Sequence, residues 1–135
     1  MSDKITSLLD LPEFEPEHST VRLPRLGIEL ELQELPYDKL MKIRRETDPM
    51  LHLIMASVVN HPELKQEEWY HGKMGCATPV DALKKLLRMG EIEKITRESD
   101  RLNGYGMGSV LTVHVDDKDM ENAATKAALE ELEKN

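Results

Sequence analysis

The chain has 135 residues, of which 33% are charged and 39% hydrophobic, and its formal net charge is −8 at pH 7. This length is enough to bury one hydrophobic core, so the composition favours a single soluble globular domain. The acidic balance disfavours nucleic acid and anionic membrane surfaces as partners, because both attract clustered basic residues. The single cysteine, Cys76, excludes an internal disulfide and is typical of a reducing cytoplasm.

The first 19 residues are predicted to form a flexible acidic arm. One short helical turn is expected within residues 4–9, where Ile5, Leu8 and Leu9 have helical spacing. The following segment, DLPEFEPEH at 10–18, is acidic and holds two prolines. A stretch of this kind cannot bury enough apolar surface to order itself, so we expect it to be extended or flexible.

Residues 20–35 change to the period of two that is typical of a β-strand. Apolar side chains at Leu26, Ile28, Leu30 and Leu32 alternate with Gly27, Glu29, Glu31 and Gln33. Val21 and Leu23 alternate in the same way before Pro24, so the pattern predicts a hairpin with its turn near residues 24–27. Because an isolated hairpin is marginal in water, helices are expected to cover its apolar face.

Helices are predicted from Pro36 onward. The first runs to about Thr47, and the second restarts at Asp48, the expected N-cap, followed by Pro49 at the first helical position. Its sequence, MLHLIMASVVN, is apolar nearly all round, which is typical of a helix at the centre of a domain. A further short helix is expected within residues 62–74, which include Trp69.

Two amphipathic helices are predicted between residues 78 and 106. Thr78 is the expected N-cap of the first, with Pro79 behind it at the first helical position. Gly90 is expected to turn the chain out of this helix, and Glu91 to begin the next one. The sequence Asn103-Gly104 is a typical helix ending. Both apolar stripes indicate packing surface, against the rest of the chain or against a partner.

The remaining segment, 107–135, is predicted to be a short strand followed by a solvated helix or tail. The run Ser109 to Val115 is rich in β-branched residues, which favours a strand. The helix after it has one narrow apolar stripe, formed by Met120, Ala124, Ala128 and Leu132. We therefore predict an α+β fold, mostly helical, in which an N-terminal β-hairpin is followed by four to five packed helices in one globular domain over 20–106.

No motif of catalysis, cofactor binding or metal binding is complete. Glu68-x-x-His71 is half of a carboxylate metal motif, and a di-iron bundle needs a second copy on a facing helix. Cys76 near His71 lacks a third catalytic group. The acids of residues 116–121 lack the glycine and the spacing of a calcium loop, and the loop GYGMG lacks the strand and helix context of a phosphate cradle. We therefore predict no enzyme activity, cofactor or metal.

Three groups of motifs within roughly residues 20–106 carry a resemblance to a known family. They are the run RLGIELELQELPYDKLMKIRRE from Arg25, then Pro62-Glu63-Leu64-Lys65 with Glu68-Trp69, and then DALKKLLRMGEIEKI with Leu102-Asn103-Gly104. In this order they resemble the opening, the middle and the paired helices of the XkdN-like phage tail assembly chaperones. Two features depart from the family: its helix joint often has Pro-Gly where this chain has Met89-Gly90, and residues 107–135 look longer than its usual ending.

The resemblance implies a cytoplasmic protein of a bacterial host that binds the tape measure protein of a phage or prophage. Such a chaperone keeps its client soluble while the tail tube assembles, and it is absent from the mature virion. A frameshifted longer form of the chain is a further implied partner. Self-association of the chain stays open beside it. We predict a client-binding surface formed by Leu86, Ile95, Met120, Ala124, Ala128 and Leu132.

Two other classes of function stay open. The first is an acidic interaction module, either an adaptor or a DNA mimic, which would need carboxylates arrayed on one face. The second is a small enzyme, which would need a deep pocket lined by His71, Glu68 and Cys76. Lys84, Arg88 and other bases interspersed among the acids of the helical part weigh against a DNA mimic.

Overall fold

A two-stranded antiparallel hairpin is followed by helices in a computed structural model, which describes residues 5–113. Strand β1 (His18–Leu23) pairs with β2 (Ile28–Gln33), with Val21 opposite Leu30. The turn closes through a hydrogen bond of 2.8 Å from the Gly27 N–H to the Leu23 carbonyl, and Gly27 has a φ of +68°. The predicted hairpin is thus confirmed, and it begins two residues before the predicted start. A short 3-10 turn, Leu8–Asp10, lies ahead of it.

The two faces of the hairpin differ in the way that the alternation predicts. Leu23, Leu30 and Leu32 point inward and are buried. On the outer face Arg22 of β1 lies 3.8 Å from Glu29 of β2, and both side chains are exposed. The apolar face therefore needs a cover, and the helices provide it.

The outer edge of β2 is covered by the chain that leaves the second helix. The Val59 N–H donates to the Glu31 carbonyl at 2.9 Å, and the Asn60 side chain accepts from the Glu31 N–H at 2.9 Å. The Asn60 amide also donates to the Glu29 carbonyl at 3.1 Å. Residues 58–60 thus satisfy the backbone groups of this edge and join the hairpin to the helices.

Four α-helices make up the rest of the described fold, with shorter helical turns between and after them. They are α1 (Tyr37–Arg44), α2 (Pro49–Ser57), α3 (Pro79–Leu86) and α4 (Met89–Asp100). A 3-10 turn spans Pro62–Lys65, and helical segments with wider, π-type turns span Glu68–Lys73 and Arg101–Tyr105. The predicted class, α+β and mostly helical with an N-terminal hairpin, is confirmed.

Helix α2 is the buried centre of the domain, as its sequence predicts. It packs most extensively on α4 and also contacts α1, α3 and β2. Its buried side chains are Leu51, Leu53, Ile54, Met55 and Ser57. The Ser57 hydroxyl lies 2.8 Å from the Ser99 hydroxyl of α4, and both residues are completely buried. Each therefore satisfies the other's polar group within an otherwise apolar interface.

The break between α3 and α4 lies at Leu87 and Arg88, so the prediction that Gly90 makes the turn is wrong. Leu87 takes an extended backbone with φ −100° and ψ 144°, while Gly90 lies within the first turn of α4. Extended conformations are open to any residue, so the turn needs no glycine. Burial of Leu87 in the core holds this bend in place.

Both predicted N-cap positions are confirmed, but their side chains differ. The Thr78 hydroxyl accepts from the Asp81 N–H at 3.1 Å and caps α3. Asp48 is the N-cap residue of α2, followed by Pro49, but its side chain makes no capping hydrogen bond and its backbone is left-handed, with a φ of 58°. Its carboxylate instead contacts the Lys84 ammonium at 2.9 Å.

The predicted C-terminal elements lie partly or wholly beyond the described residues. Of the predicted strand Ser109–Val115, residues 109–113 are described, and they form no strand. The predicted C-terminal helix lies outside the described part of the chain. Within residues 5–113 no helix has both the length and the apolar composition to cross a membrane.

Candidate binding groove

An apolar groove of about 610 Å³ opens between the hairpin, the helix Glu68–Lys73 and α3. The residues that line it are Leu23, Leu26, Ile28, Leu30, Ile54, His61, Glu63, Leu64, Trp69, Lys73, Leu83, Leu86 and Leu87. Ten of these thirteen side chains are apolar. This mostly apolar lining suits an apolar ligand surface.

The groove has a buried floor and half-buried walls. Leu30, Ile54 and Leu83 in the floor belong to the hydrophobic core. Leu26 and Trp69 in the walls pack against this core but keep part of their side chains accessible. Burying the accessible remainder against a partner would be favourable at about 25 cal/mol per Å² of apolar surface. The accessible apolar surface of the groove therefore lies on its walls rather than on its floor.

Polar groups stand at the rim of the groove. His61 bonds through Nε2 to the Glu29 carbonyl at 2.8 Å and through Nδ1 to the Glu63 carboxylate at 3.2 Å. Hydrogen bonds from its own backbone N–H and from His61 lower the pKa of Glu63. Glu63 is thus a carboxylate at neutral pH, and Lys73 adds a positive charge to the lining. A partner with an apolar face and mixed charges beside it matches this arrangement.

At one end of the groove, Arg25 in the hairpin turn forms hydrogen bonds to the helices. Its guanidinium donates to the Glu91 carboxylate at 2.9 Å from Nε and 2.7 Å from Nη2, and Nη2 also donates to the Leu86 carbonyl at 2.7 Å. Glu91 further accepts from the Arg88 N–H at 2.8 Å. Hydrogen bonds from Arg25, then from the Arg88 backbone, lower the pKa of Glu91 to about 2. The hairpin turn is therefore linked to the joint between α3 and α4.

A second apolar hollow, of about 480 Å³, lies on the other side of Leu87. It is lined by Met50, Met89 and Ile92 among others, and the Lys84–Asp48 ion pair stands beside it. Leu87 lines both cavities, because the extended backbone at the α3–α4 joint places this side chain between them. The joint thus contributes to two neighbouring apolar surfaces.

Of the six predicted client-binding residues, Leu86 and Ile95 lie in the described part of the chain, and their environments differ. Leu86 lines the groove and is half-buried, so its placement fits a contact surface. Ile95 exposes only 2% of its surface in the core, facing away from solvent, so it offers no surface to a partner and this prediction is corrected. Met120, Ala124, Ala128 and Leu132 lie outside the described residues.

Sequence reasoning missed Trp69, Leu26 and Ile28 as wall residues. A period of two indicates which face of a strand is apolar, but it does not show that part of that face extends past the helices that cover the rest. Trp69 did carry a signal, because it is the only tryptophan in the chain and large aromatic side chains are enriched at interfaces.

Glu68, His71 and Cys76, the described side chains weighed for metal binding or catalysis, lie in or after the helix Glu68–Lys73. Glu68 and His71 are exposed on their helix, and the Cys76 thiol lies 3.5 Å from the Met74 carbonyl. Among residues 5–113, no three His, Cys, Asp or Glu side chains come together as a ligand set for a metal ion. None of Glu68, His71 and Cys76 lines the groove.

The outer face of the hairpin bears on the DNA-mimic alternative. His18 and Arg22 of β1 lie beside Glu31 and Glu29 of β2, with 2.8 Å between His18 Nδ1 and the Glu31 carboxylate. Acids on this face are therefore paired with bases, whereas a mimic of nucleic acid needs a continuous array of carboxylates.

Comparisons with models of known protein families, with curated proteins and with solved structures found no match for this chain.

Proposed function

We propose that this chain is a tail assembly chaperone of a phage or prophage, acting in the cytoplasm of the bacterial host. It binds the tape measure protein, keeps it soluble while the tail tube assembles and is absent from the mature virion. The groove receives the apolar face of an amphipathic client helix, with the rim charges facing the polar sides of that helix. No chemical step is part of this function.

The observation that carries the proposal is the convergence of the family-like motifs on one groove. Leu26 of the Arg-Leu-Gly run, Leu64 and Trp69 of the middle motif, and Leu83 and Leu86 of DALKKLL all line it. These motifs are separated by up to about 60 residues of sequence, so their meeting follows from the tertiary fold. Leu64 and Leu83 are buried in the core, whereas Leu26, Trp69 and Leu86 are half-buried and leave apolar surface accessible to a partner.

The Arg25–Glu91 contact supports the same reading. Arg25 begins the first resembling run, and Glu91 follows the glycine of the resembling helix joint. Their hydrogen bonds of 2.9 and 2.7 Å hold the groove walls at the hairpin turn and at Leu86 in a common arrangement. A preformed groove lowers the entropic cost of binding a client helix.

Co-expression tests the proposal directly. The full chain and the tape measure protein of the same genome are produced together, and soluble lysate is separated by size. We expect the client to be insoluble alone and to co-elute with the wild-type chain. Trp69→Ala and Leu86→Glu are expected to return most of the client to the pellet, because each removes apolar contact area from a groove wall.

Tyr37→Ala is the matched control, since Tyr37 is an exposed aromatic side chain on α1 outside the groove. Circular dichroism of each purified variant separates loss of binding from loss of folding. A client that stays insoluble with this chain, and also with the longer frameshifted product, would contradict the chaperone function. Co-elution that both groove variants leave intact would instead place the client elsewhere on the surface.

A further inference from the structure

We infer that the free edge of β1 is a strand-addition site, and that its occupant is the acidic arm, Leu11–Glu15, of a second copy of this chain. The two edges of the hairpin differ. The backbone of Glu31 in β2 points away from β1 and bonds to Val59 and Asn60 at 2.9 Å each. The free edge of β1 has no comparable hydrogen-bond partners among residues 5–113, although β1 is as long as β2.

The register identifies which backbone groups of β1 are unpaired. Thr20 is opposite Glu31, whose N–H and carbonyl point outward. In an antiparallel pair, residues opposite each other both point inward or both point outward, and this alternates along the strand. The N–H and C=O groups of His18, Thr20 and Arg22 therefore point out of the free edge. Their side chains share the exposed outer face of the hairpin.

The sequence of the arm allows one of its edges to form backbone hydrogen bonds with the free edge of β1. Pro12 and Pro16 occupy even positions, whereas Glu13 and Glu15 occupy odd positions. In an extended chain the two proline nitrogens therefore lie on one edge, and the N–H groups of the glutamates lie on the other. The arm can thus present a hydrogen-bonding edge that its prolines do not interrupt. Phe14, whose side chain is 77% exposed, lies on the opposite face from the two glutamates.

The charges of the arm and of β1 favour one register of the arm along the strand. With Glu13 opposite Arg22 and Glu15 opposite Thr20 in an antiparallel pair, Arg22 lies between Glu13 of one copy and Glu29 of its own hairpin. The same register places Phe14 opposite the half-buried Val21 on the inner face, an aromatic and β-branched pair. Backbone bonding, charge and apolar contact therefore favour one alignment together.

The arm of the same copy cannot occupy this edge. His18 and Ser19 are paired with Gln33 and Leu32, so only Pro16 and Glu17 remain to reverse the chain. Two residues cannot return Glu15 to a position beside Thr20 while residues 18 and 19 stay in the strand. The occupant is therefore a second molecule, and reciprocal exchange of two arms closes the assembly as a dimer.

Sedimentation of the full chain over a concentration series tests for the dimer. We expect a monomer–dimer equilibrium that Thr20→Pro or Glu13→Pro abolishes, since each removes an N–H needed between copies. The Thr20 N–H is not used within the hairpin, so thermal unfolding should show that this variant still folds. Arg22→Glu is expected to weaken dimerisation roughly fivefold or more, and Glu13→Arg with Arg22→Glu to restore it.

Cysteine cross-linking tests the register in a Cys76→Ser background. Glu13→Cys with Arg22→Cys should form a disulfide between two copies on oxidation, because opposite residues of a hydrogen-bonded pair have Cα atoms about 5.5 Å apart. Glu13→Cys with Glu29→Cys, on the neighbouring strand, is the control that should not cross-link. A chain that stays monomeric at millimolar concentration, or a dimer that Thr20→Pro and Arg22→Glu leave unchanged, would overturn the inference.

Discussion

Arg25 in the hairpin turn and Glu91 in the first turn of α4 are joined by two hydrogen bonds, 2.9 Å from Nε and 2.7 Å from Nη2. The two residues are 66 positions apart in the chain. Arg25 also bonds to the last carbonyl of α3, at Leu86, and Glu91 accepts from the backbone of Arg88. One ion pair thus caps two helix ends and holds the hairpin turn against them.

Glu91→Gln is expected to lower the midpoint of thermal unfolding at pH 7, and the loss should depend on pH. Folding lowers the pKa of Glu91 from the ordinary 4.5 to about 2, so its stabilisation is fully present above pH 4.5. It is lost as pH falls from there towards 2, where wild type and variant should converge. Glu93→Gln, at an exposed position of α4, is the control. A difference that stays constant down to pH 2 would contradict the ionic role.

Ser57→Ala and Ser99→Ala should each lower the free energy of unfolding by about 1–3 kcal/mol, because each leaves a buried hydroxyl without its main partner. The two hydroxyls are 2.8 Å apart and completely buried. The double variant should lose less than the sum of the two, by about 1 kcal/mol. Urea unfolding of the four proteins measures this coupling, and additive losses would show that the hydroxyls act independently.

Asp48→Gly is expected to be more stable than Asp48→Ala by about 1 kcal/mol, because alanine resists a left-handed backbone and glycine does not. Asp48 has a φ of 58°. Both substitutions remove the contact with Lys84, so their difference reports the backbone alone. Denaturant unfolding of the two variants checks it, and equal stabilities would mean that the backbone relaxes when the side chain is shortened.

Asp100→Asn is expected to raise the midpoint of thermal unfolding at pH 7. Burial raises the pKa of Asp100, while the charge of Arg44 partly opposes this. The folded state therefore disfavours the ionised carboxylate, and wild-type stability falls as pH rises through the range between the unfolded and folded pKa values. The gain from Asp100→Asn should accordingly disappear below the ordinary aspartate range. A variant that is less stable than wild type at pH 7 would show that the Arg44 interaction dominates.

The sequence alone determined the hairpin with its inward face, the mostly helical class and the central position of α2. Leu30 and Leu32 were identified as inward-facing by a period of two, and α2 as central by its apolar composition. The Thr78 cap was also predictable, because its partner is the N–H only three residues away. These features follow from local periodicity and local hydrogen bonding, which a one-dimensional pattern records.

Only the tertiary structure established that a groove forms, that Arg25 bonds to Glu91 and that the Asp48 carboxylate contacts Lys84. Ile95 and Leu86 were both predicted to contact the client, yet Ile95 is 2% exposed and Leu86 lines the groove. Asp48 was predicted at the N-cap of α2 from its neighbours in sequence, and it lies there, but its carboxylate contacts Lys84, 36 positions away. Which polar groups meet, and which apolar faces stay accessible, depends on contacts between elements distant in the chain. Local propensity is the same whether or not those contacts form, so the sequence pattern could not distinguish these outcomes.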